Sequence, residues 1–369
     1  MKVISSGSSY MLYDDDMKSF EKLPAYTYTI KFAQMAGFFL EKTKDVDVAE
    51  SKVYGVHNEK VEKVLHTFEL MKRNLGVILS GDKGIGKSLF VRMLAVEGQK
   101  RGLPVIIVEK FIPGIASYIQ KIEQEGIFIF DEFDKTFGNV TTGENEADAQ
   151  DSMLSLFDGM ASGKKMFVVT CNKLSTLSDY LVNRPGRFHY HFRFEYPTDE
   201  EIREYLADKL CEKNEKEIEK VVDFSRKTRV NYDCLRAIAF EINLGQNFEE
   251  AIGDLNIVNV QKPSYNLVLH FKNAPSMYRE DVQLDLFSSS AETYWLAQGQ
   301  ALYAGKVTFN PADVIFDQNT GASIIPADKI IFNYDFDDVD DEEEKRQIES
   351  WVPAYLELQL KRDRLHYVL

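Results

Sequence analysis

Two kinds of apolar pattern divide the chain. In the first half, short runs are apolar at nearly every position: Leu75-Gly76-Val77-Ile78-Leu79-Ser80, Val105-Ile106-Ile107-Val108-Glu109, Gly126-Ile127-Phe128-Ile129-Phe130 and Lys165-Met166-Phe167-Val168-Val169-Thr170. Runs of this length and uniformity predict strands of a parallel sheet covered on both faces. The segments between them predict the covering helices, over residues 59–73, from Leu89 through Ala95, up to Ile122, and over 149–160. Phe192-Arg193-Phe194-Glu195-Tyr196-Pro197 reads as a fifth strand. Thr198 then caps a helix, with Glu201 three positions later completing a capping box, and residues 199–252 read as all-helical. Ahead of the first run, Tyr26, Tyr28, Ile30 and Phe32 alternate with Thr27, Thr29 and Lys31, the period of a half-buried strand. Phe38-Phe39-Leu40 pairs with it across the turn near Gly37.

Beyond residue 255 the pattern changes to short strand-like runs at 267–271, 282–286, 306–309 and 330–332, with turn signals at Phe309-Asn310-Pro311 and Asn319-Thr320-Gly321. The acidic run 335–344 reads as a solvated linker, and residues 348–367 as a closing helix and tail. The fold class expected is therefore α/β, a parallel sheet with a helical lid, plus a C-terminal β-rich domain. The divisions are 1–53 (a small β element), 54–198 (the α/β core), 199–254 (the lid) and 255–369.

Composition narrows the function. The chain has 369 residues, 44% hydrophobic and 28% charged, enough for two or three domains with sizeable cores. No apolar run approaches the roughly 20 residues of a membrane span, and Met1-Lys2-Val3-Ile4-Ser5-Ser6-Gly7 lacks a secretory apolar core. A cytoplasmic protein without a membrane partner is expected. Cys171, Cys211 and Cys234 have no metal-ligand spacing and read as free thiols. A formal charge of −15 argues against a general nucleic-acid binder and leaves room for an indirect or local one.

The chemistry begins at Gly81-Asp82-Lys83-Gly84-Ile85-Gly86-Lys87-Ser88-Leu89, which fits the phosphate-cradling pattern at every fixed position. Glycines let consecutive N–H groups face phosphates, and the following helix N-terminus adds partial positive charge. Lys87 is placed to reach the β- and γ-phosphates of ATP, and Ser88 to ligate Mg²⁺. The run ending at Phe130 delivers Asp131 and Glu132 to the edge where ligands of open α/β sheets bind. Asp131 is expected on Mg²⁺, and Glu132 as the base that polarises the attacking water. Asn172, at the tip of the fourth run, is placed to hydrogen-bond the γ-phosphate or that water. Arg184 and Arg187, flanking a Pro-Gly turn, suit planar contacts to phosphate oxygens. Tyr54-Gly55-Val56 is the candidate seat for the adenine.

In this order these motifs resemble the AAA+ ATPases, and within them the AAA subgroup in the narrow sense, over residues 54–250. Leu156-Phe157-Asp158-Gly159-Met160 resembles a segment that the family carries before the fourth strand. The resemblance implies that Lys87 and Ser88 are Walker A, Asp131 and Glu132 Walker B, and Asn172 sensor 1. It implies that Arg184 and Arg187 are arginine fingers reaching a neighbour's nucleotide, hence a homo-oligomeric ring, most often a hexamer. Arg236 is either a sensor 2 arginine that touches nucleotide from the lid or an ordinary surface residue. Phe111, in Lys110-Phe111-Ile112-Pro113-Gly114, is either a pore-loop aromatic or a buried Phe beside a turn. His189 departs from the family, which usually has an acid there. The implied activity is Mg²⁺-dependent ATP hydrolysis coupled to remodelling of an unknown protein or protein–nucleic acid partner. The alternative is an ATP-switched loader in DNA replication or another DNA transaction. The resemblance says nothing about residues 255–369.

Overall fold

A computed structural model of the chain describes residues 2–6, 8–48, 57–138, 149–157, 163–178, 181, 187–255, 257, 263–298, 303–317, 322–335 and 342–361. Tyr54-Gly55-Val56, the polar loop at 139–148, Asp158-Gly159-Met160, Arg184-Pro185-Gly186, the turn at 319–321 and residues 336–341 of the acidic run lie outside them. The chain divides into two compact units, Met1–Pro197 with Asn231–Asp233, and Thr198–Val230 with Cys234–Leu369.

The first unit opens with a hairpin, β1 (Lys2–Ser6) and β2 (Ser9–Tyr13). The main elements follow as β3 (Thr27–Ala33), β4 (Gly37–Lys42), α1 (His57–Leu70), β5 (Leu75–Ser80), α2 (Lys87–Lys100) and β6 (Val105–Ile107). Then come α3 (Ile115–Gln120), β7 (Gly126–Phe130), α4 (Phe133–Thr136), α5 (Ala149–Phe157), β8 (Lys165–Cys171) and β9 (Tyr190–Arg193). Strands β4-β3-β6-β7-β8-β5-β9 form one sheet in that order, parallel except for β4. Every residue of β5, β7 and β8 is buried, as uniform apolar runs require. Successive side chains enter opposite layers. Ile78, Phe128, Phe130, Phe167 and Val169 pack with α3 and α5, while Val77, Leu79, Ile127, Ile129, Met166 and Val168 pack with α1 and α2.

Two expectations shift here. The fifth strand of the core runs Tyr190–Arg193, ahead of the run at 192–197. The β3–β4 hairpin does not stand apart. It adds to the sheet through β3, with Thr27 beside Val105 and Thr29 beside Ile107.

The second unit carries α6 (Asp199–Lys209), α7 (Ile218–Lys227), α8 (Tyr232–Leu244, whose first two residues belong to the first unit) and α9 (Phe248–Asp254). The expected capping box is present: Glu201 N–H donates to Thr198 Oγ1 (3.2 Å), and Thr198 N–H donates to Glu201 Oε2 (2.9 Å). The strands are β10 (Ser264–Phe271), β11 (Met277–Gln283), β12 (Glu292–Gln298), β13 (Tyr303–Phe309), β14 (Ile315–Asp317), β15 (Ala322–Pro326) and β16 (Ile330–Asp335). Helix α10 (Glu342–Glu349) and β17 (Pro353–Leu360) complete it. The eight strands form one antiparallel sheet in the order β14-β15-β17-β10-β11-β12-β13-β16. Its core side holds Leu267, Leu269, Leu296, Val307, Leu356 and Leu358.

The closing segment is a correction. It was expected as a helix, and residues 353–360 instead form a strand deep in this sheet, flanked by β10 and β15. Leu356 and Leu358 face the core while Tyr355 and Glu357 do not, a period of two. The helix lies earlier, at Glu342–Glu349, starting at the end of the expected acidic linker.

Candidate active site

The phosphate loop joins β5 to α2. Gly86 caps α2 at φ 100, a left-handed conformation that favours glycine, and it offers the first turn no side-chain acceptor. Gly84, at φ 73, lies so close to Asn231 that a Cβ there would strike its amide. Asn231 Nδ2 donates to the Lys83 carbonyl (3.1 Å), and Tyr232 N–H donates to the Gly84 carbonyl (3.2 Å). The loop's turn is therefore held from outside by residues 231–232.

Lys87 is 9% exposed. Its ammonium donates to the carbonyls of Gly81 (2.5 Å) and Asp82 (2.6 Å) and to Asn172 Oδ1 (3.4 Å). Burial pulls its pKa below the usual lysine value, against the carboxylates of Asp82, Asp131 and Asp134. Ser88 and Asp131 are exposed. A hydroxyl and a carboxylate are hard oxygen donors of the kind Mg²⁺ prefers, so the residues present fit both a triphosphate and its cation.

Glu132 has an unusual backbone, φ 48 and ψ 46. Among the described residues only Asp281 is another non-glycine with positive φ. Left-handed backbone of this kind costs energy and persists where neighbours hold it. The Glu132 carboxylate pairs with Lys135, one turn along α4. That pairing, with Lys83 and Lys87 beyond it, holds the Glu132 carboxyl below the usual carboxylate range. Asn172 N–H donates to Asp134 Oδ2 (3.2 Å), and Asp134 Oδ1 is buried with no hydrogen-bond partner among the described residues. Cys171, between Thr170 and Asn172, faces the core, and burial pushes its thiol up to about 12.

Lys87, Asp131, Glu132 and Asn172 thus meet at the C-terminal ends of β5, β7 and β8, which are neighbours in the sheet. Arg187 is described and only 6% exposed. Arg184 and Tyr54 lie outside the described residues, and Arg236 is an exposed residue of α8, in the second unit. Phe111 is half-buried against the core, its ring 5.9 Å from Phe137 in an edge contact, which favours the packing reading over the pore reading.

Sequence reasoning missed Thr170, Lys135 and His57. Thr170 is two residues before Asn172, which directly follows the end of β8, and Lys135 is three after Glu132 on a helical turn. Both spacings were available as signals. His57 is buried directly after the proposed adenine segment, its ring 5.1 Å from that of Phe194 and beside Gly86.

Comparison with known proteins finds a family domain over this part of the chain. The model of the ATPase family associated with various cellular activities (AAA) matches residues 77–196. The ATPase family gene 2 protein of Schizosaccharomyces pombe is 28% identical over 133 residues, 33% of this chain and 16% of that protein. Its namesake in Saccharomyces cerevisiae is 28% identical over 125 residues, 31% of this chain and 16% of that protein. An ATPase family AAA domain-containing protein of Arabidopsis thaliana is 27% identical over 148 residues, 36% of this chain and 12% of that protein. The matches therefore span less than a fifth of each relative's length. The phosphate loop, the acidic strand end and the polar strand tip fall inside the matched segment, so residues 77–196 are similar to the AAA ATPase domain over the stretch that carries these groups.

Proposed function

We propose that the chain hydrolyses ATP with Mg²⁺ and works as an oligomeric machine that remodels a protein or protein–nucleic acid partner. One observation carries the hydrolytic part: a buried lysine, two strand-end carboxylates and a strand-tip amide converge on a glycine-rich loop at a helix N-terminus. The chain as a whole is strongly acidic, with a formal charge of −15. Lys83, Lys87 and Lys135 nevertheless gather around Glu132, a local cationic field suited to a polyphosphate.

In this reading Lys87 leaves the loop carbonyls for the β- and γ-phosphate oxygens. Glu132, kept ionised by its lysines, turns from Lys135 to take a proton from the attacking water. Asn172 orients that water or the γ-phosphate. Ser88 and Asp131 would hold Mg²⁺, which when bound neutralises charge on the phosphate oxygens. The ring rests on the arginines. Arg187 is buried, so Arg184 is the principal finger in this proposal.

The test is Glu132→Gln with ATP and Mg²⁺, sized against the same protein without nucleotide. Turnover should fall by about 10²–10⁴-fold, the usual worth of a positioned base, with ATP still bound in a closed ring. Normal turnover would remove Glu132 as base. A monomer with ATP bound would move the reading to the loader or switch, with Arg236 as a nucleotide-sensing residue.

A further inference from the structure

We propose that Thr170 is a positioning residue of this site: its single hydroxyl sets the orientation of Asp131 and the backbone of Glu132 together. The inference rests on the ATPase reading above.

Thr170 sits on β8, which pairs with β7 on one side and β5 on the other, and is 1% exposed. Its Oγ1 donates to Asp131 Oδ1 (2.5 Å) and accepts from the backbone N–H of Glu132 (2.8 Å). A hydroxyl has one hydrogen to give, and here Asp131 takes it, while a lone pair receives the amide. The donation fixes which carboxylate oxygen of Asp131 is engaged and leaves Oδ2 as the one Thr170 does not use. The acceptance holds the amide of the very residue whose backbone lies at φ 48 and ψ 46. Without that bond a partly buried amide just past the strand end loses its acceptor, and the left-handed turn that aims Glu132 loses one of its restraints. The turn is otherwise held from one side, where the Glu132 carbonyl accepts N–H groups from Lys135 (2.9 Å) and Thr136 (3.0 Å) of α4.

The residue type suits the task. A β-branched side chain on a central strand has restricted χ1, so the hydroxyl is held in place by its own backbone. Ser would offer the same chemistry with more rotational freedom. Val would keep the shape and lose both bonds. If Thr170 were only a satisfied buried hydroxyl, its loss would lower stability and leave the split between binding and turnover unchanged.

The experiment compares wild type, Thr170→Val, Thr170→Ser and Glu132→Gln in the full chain. It reads steady-state ATPase, thermal melting, and binding of a fluorescent ATP analogue at graded Mg²⁺. Thr170→Val should lower kcat by about tenfold or more, as expected when a catalytic base loses its aim. KM should change by less than about threefold, since the loop contacts are untouched. The Mg²⁺ needed for half-maximal analogue binding should rise in Thr170→Val and stay at the wild-type level in Thr170→Ser. Thr170→Ser should also restore kcat to within about threefold of wild type. If Thr170→Val does not fold, Thr170→Ala carries the same arms. Wild-type kcat and Mg²⁺ dependence in a hydroxyl-free variant would overturn the inference, and so would an equal loss in Thr170→Ser. A wild-type protein with no ATPase, indistinguishable from Glu132→Gln, would instead remove the parent reading.

Discussion

The two sheets of this molecule solve the burial problem differently. In the parallel sheet β5, β7 and β8 are buried along their whole length, with helices on both faces. The side chains are committed to packing, and chemistry is left to the strand ends, where Asp131, Glu132 and Asn172 emerge. In the antiparallel sheet β10 alternates half-buried and buried positions. Leu267 and Leu269 enter the core while Val268 and His270 look the other way. A sheet of this kind carries a whole face of accessible side chains, among them Trp295, with Lys306 4.5 Å over its ring, and Ile331. The first arrangement concentrates polar groups at an edge, and the second leaves side chains accessible along a face.

Substitutions can break or sharpen this contrast. Lys87→Ala should have the largest effect, reducing ATP turnover by at least about 10²-fold through loss of the phosphate contact. The melting temperature should be unchanged or raised, because a partly desolvated ammonium is removed. Loss of fold in place of loss of binding would erase the separation between edge chemistry and core packing. Leu356→Ala, in the middle of the antiparallel sheet and fully buried, should cost about 2–5 kcal/mol in chemical denaturation. Analogue binding at the phosphate loop should persist under native conditions. A binding loss equal to the stability loss would mean that the two sheets do not behave as separate units.

A smaller effect is expected at Lys135. Its ammonium lowers the Glu132 carboxyl pKa, which keeps the proposed base ionised to more acidic pH. Lys135→Ala should move the acidic limb of the kcat–pH profile to higher pH, and an unmoved limb would detach Lys135 from the base. The pairing also favours the folded state above the ordinary glutamate range, and that contribution fades as pH falls through the lowered value. With side chains 43% and 52% exposed, it is small. Smallest of all, Trp295→Ala on the open face should change stability by no more than about 0.5 kcal/mol, read by the same denaturation curves.

How legible each region was follows from the same contrast. The parallel strands could be read because every position votes for burial, and the phosphate loop because its residues are contiguous. Thr170 could be read only as far as its spacing from Asn172, since its role depends on pairing β8 with β7, which no local pattern encodes. Residues 353–360 were misread because Leu, Glu and Gln favour helices in isolation, and pairing on both sides overrides that preference. The shift of β9 to Tyr190–Arg193 is a boundary effect, with aromatics continuing past the last paired residue.

The place of β17 has a consequence during synthesis. It lies between β10 and β15, yet every other strand of its sheet is made before it. Until residues 353–360 leave the ribosome, Leu267 and Leu269 have no partners at Leu358 and Leu356, and two strand edges stand open. The nucleotide-binding domain has all its own strands long before that moment. A nascent chain of this protein then has one sheet complete and the other with open edges, a state in which chaperones or aggregation compete for the second sheet.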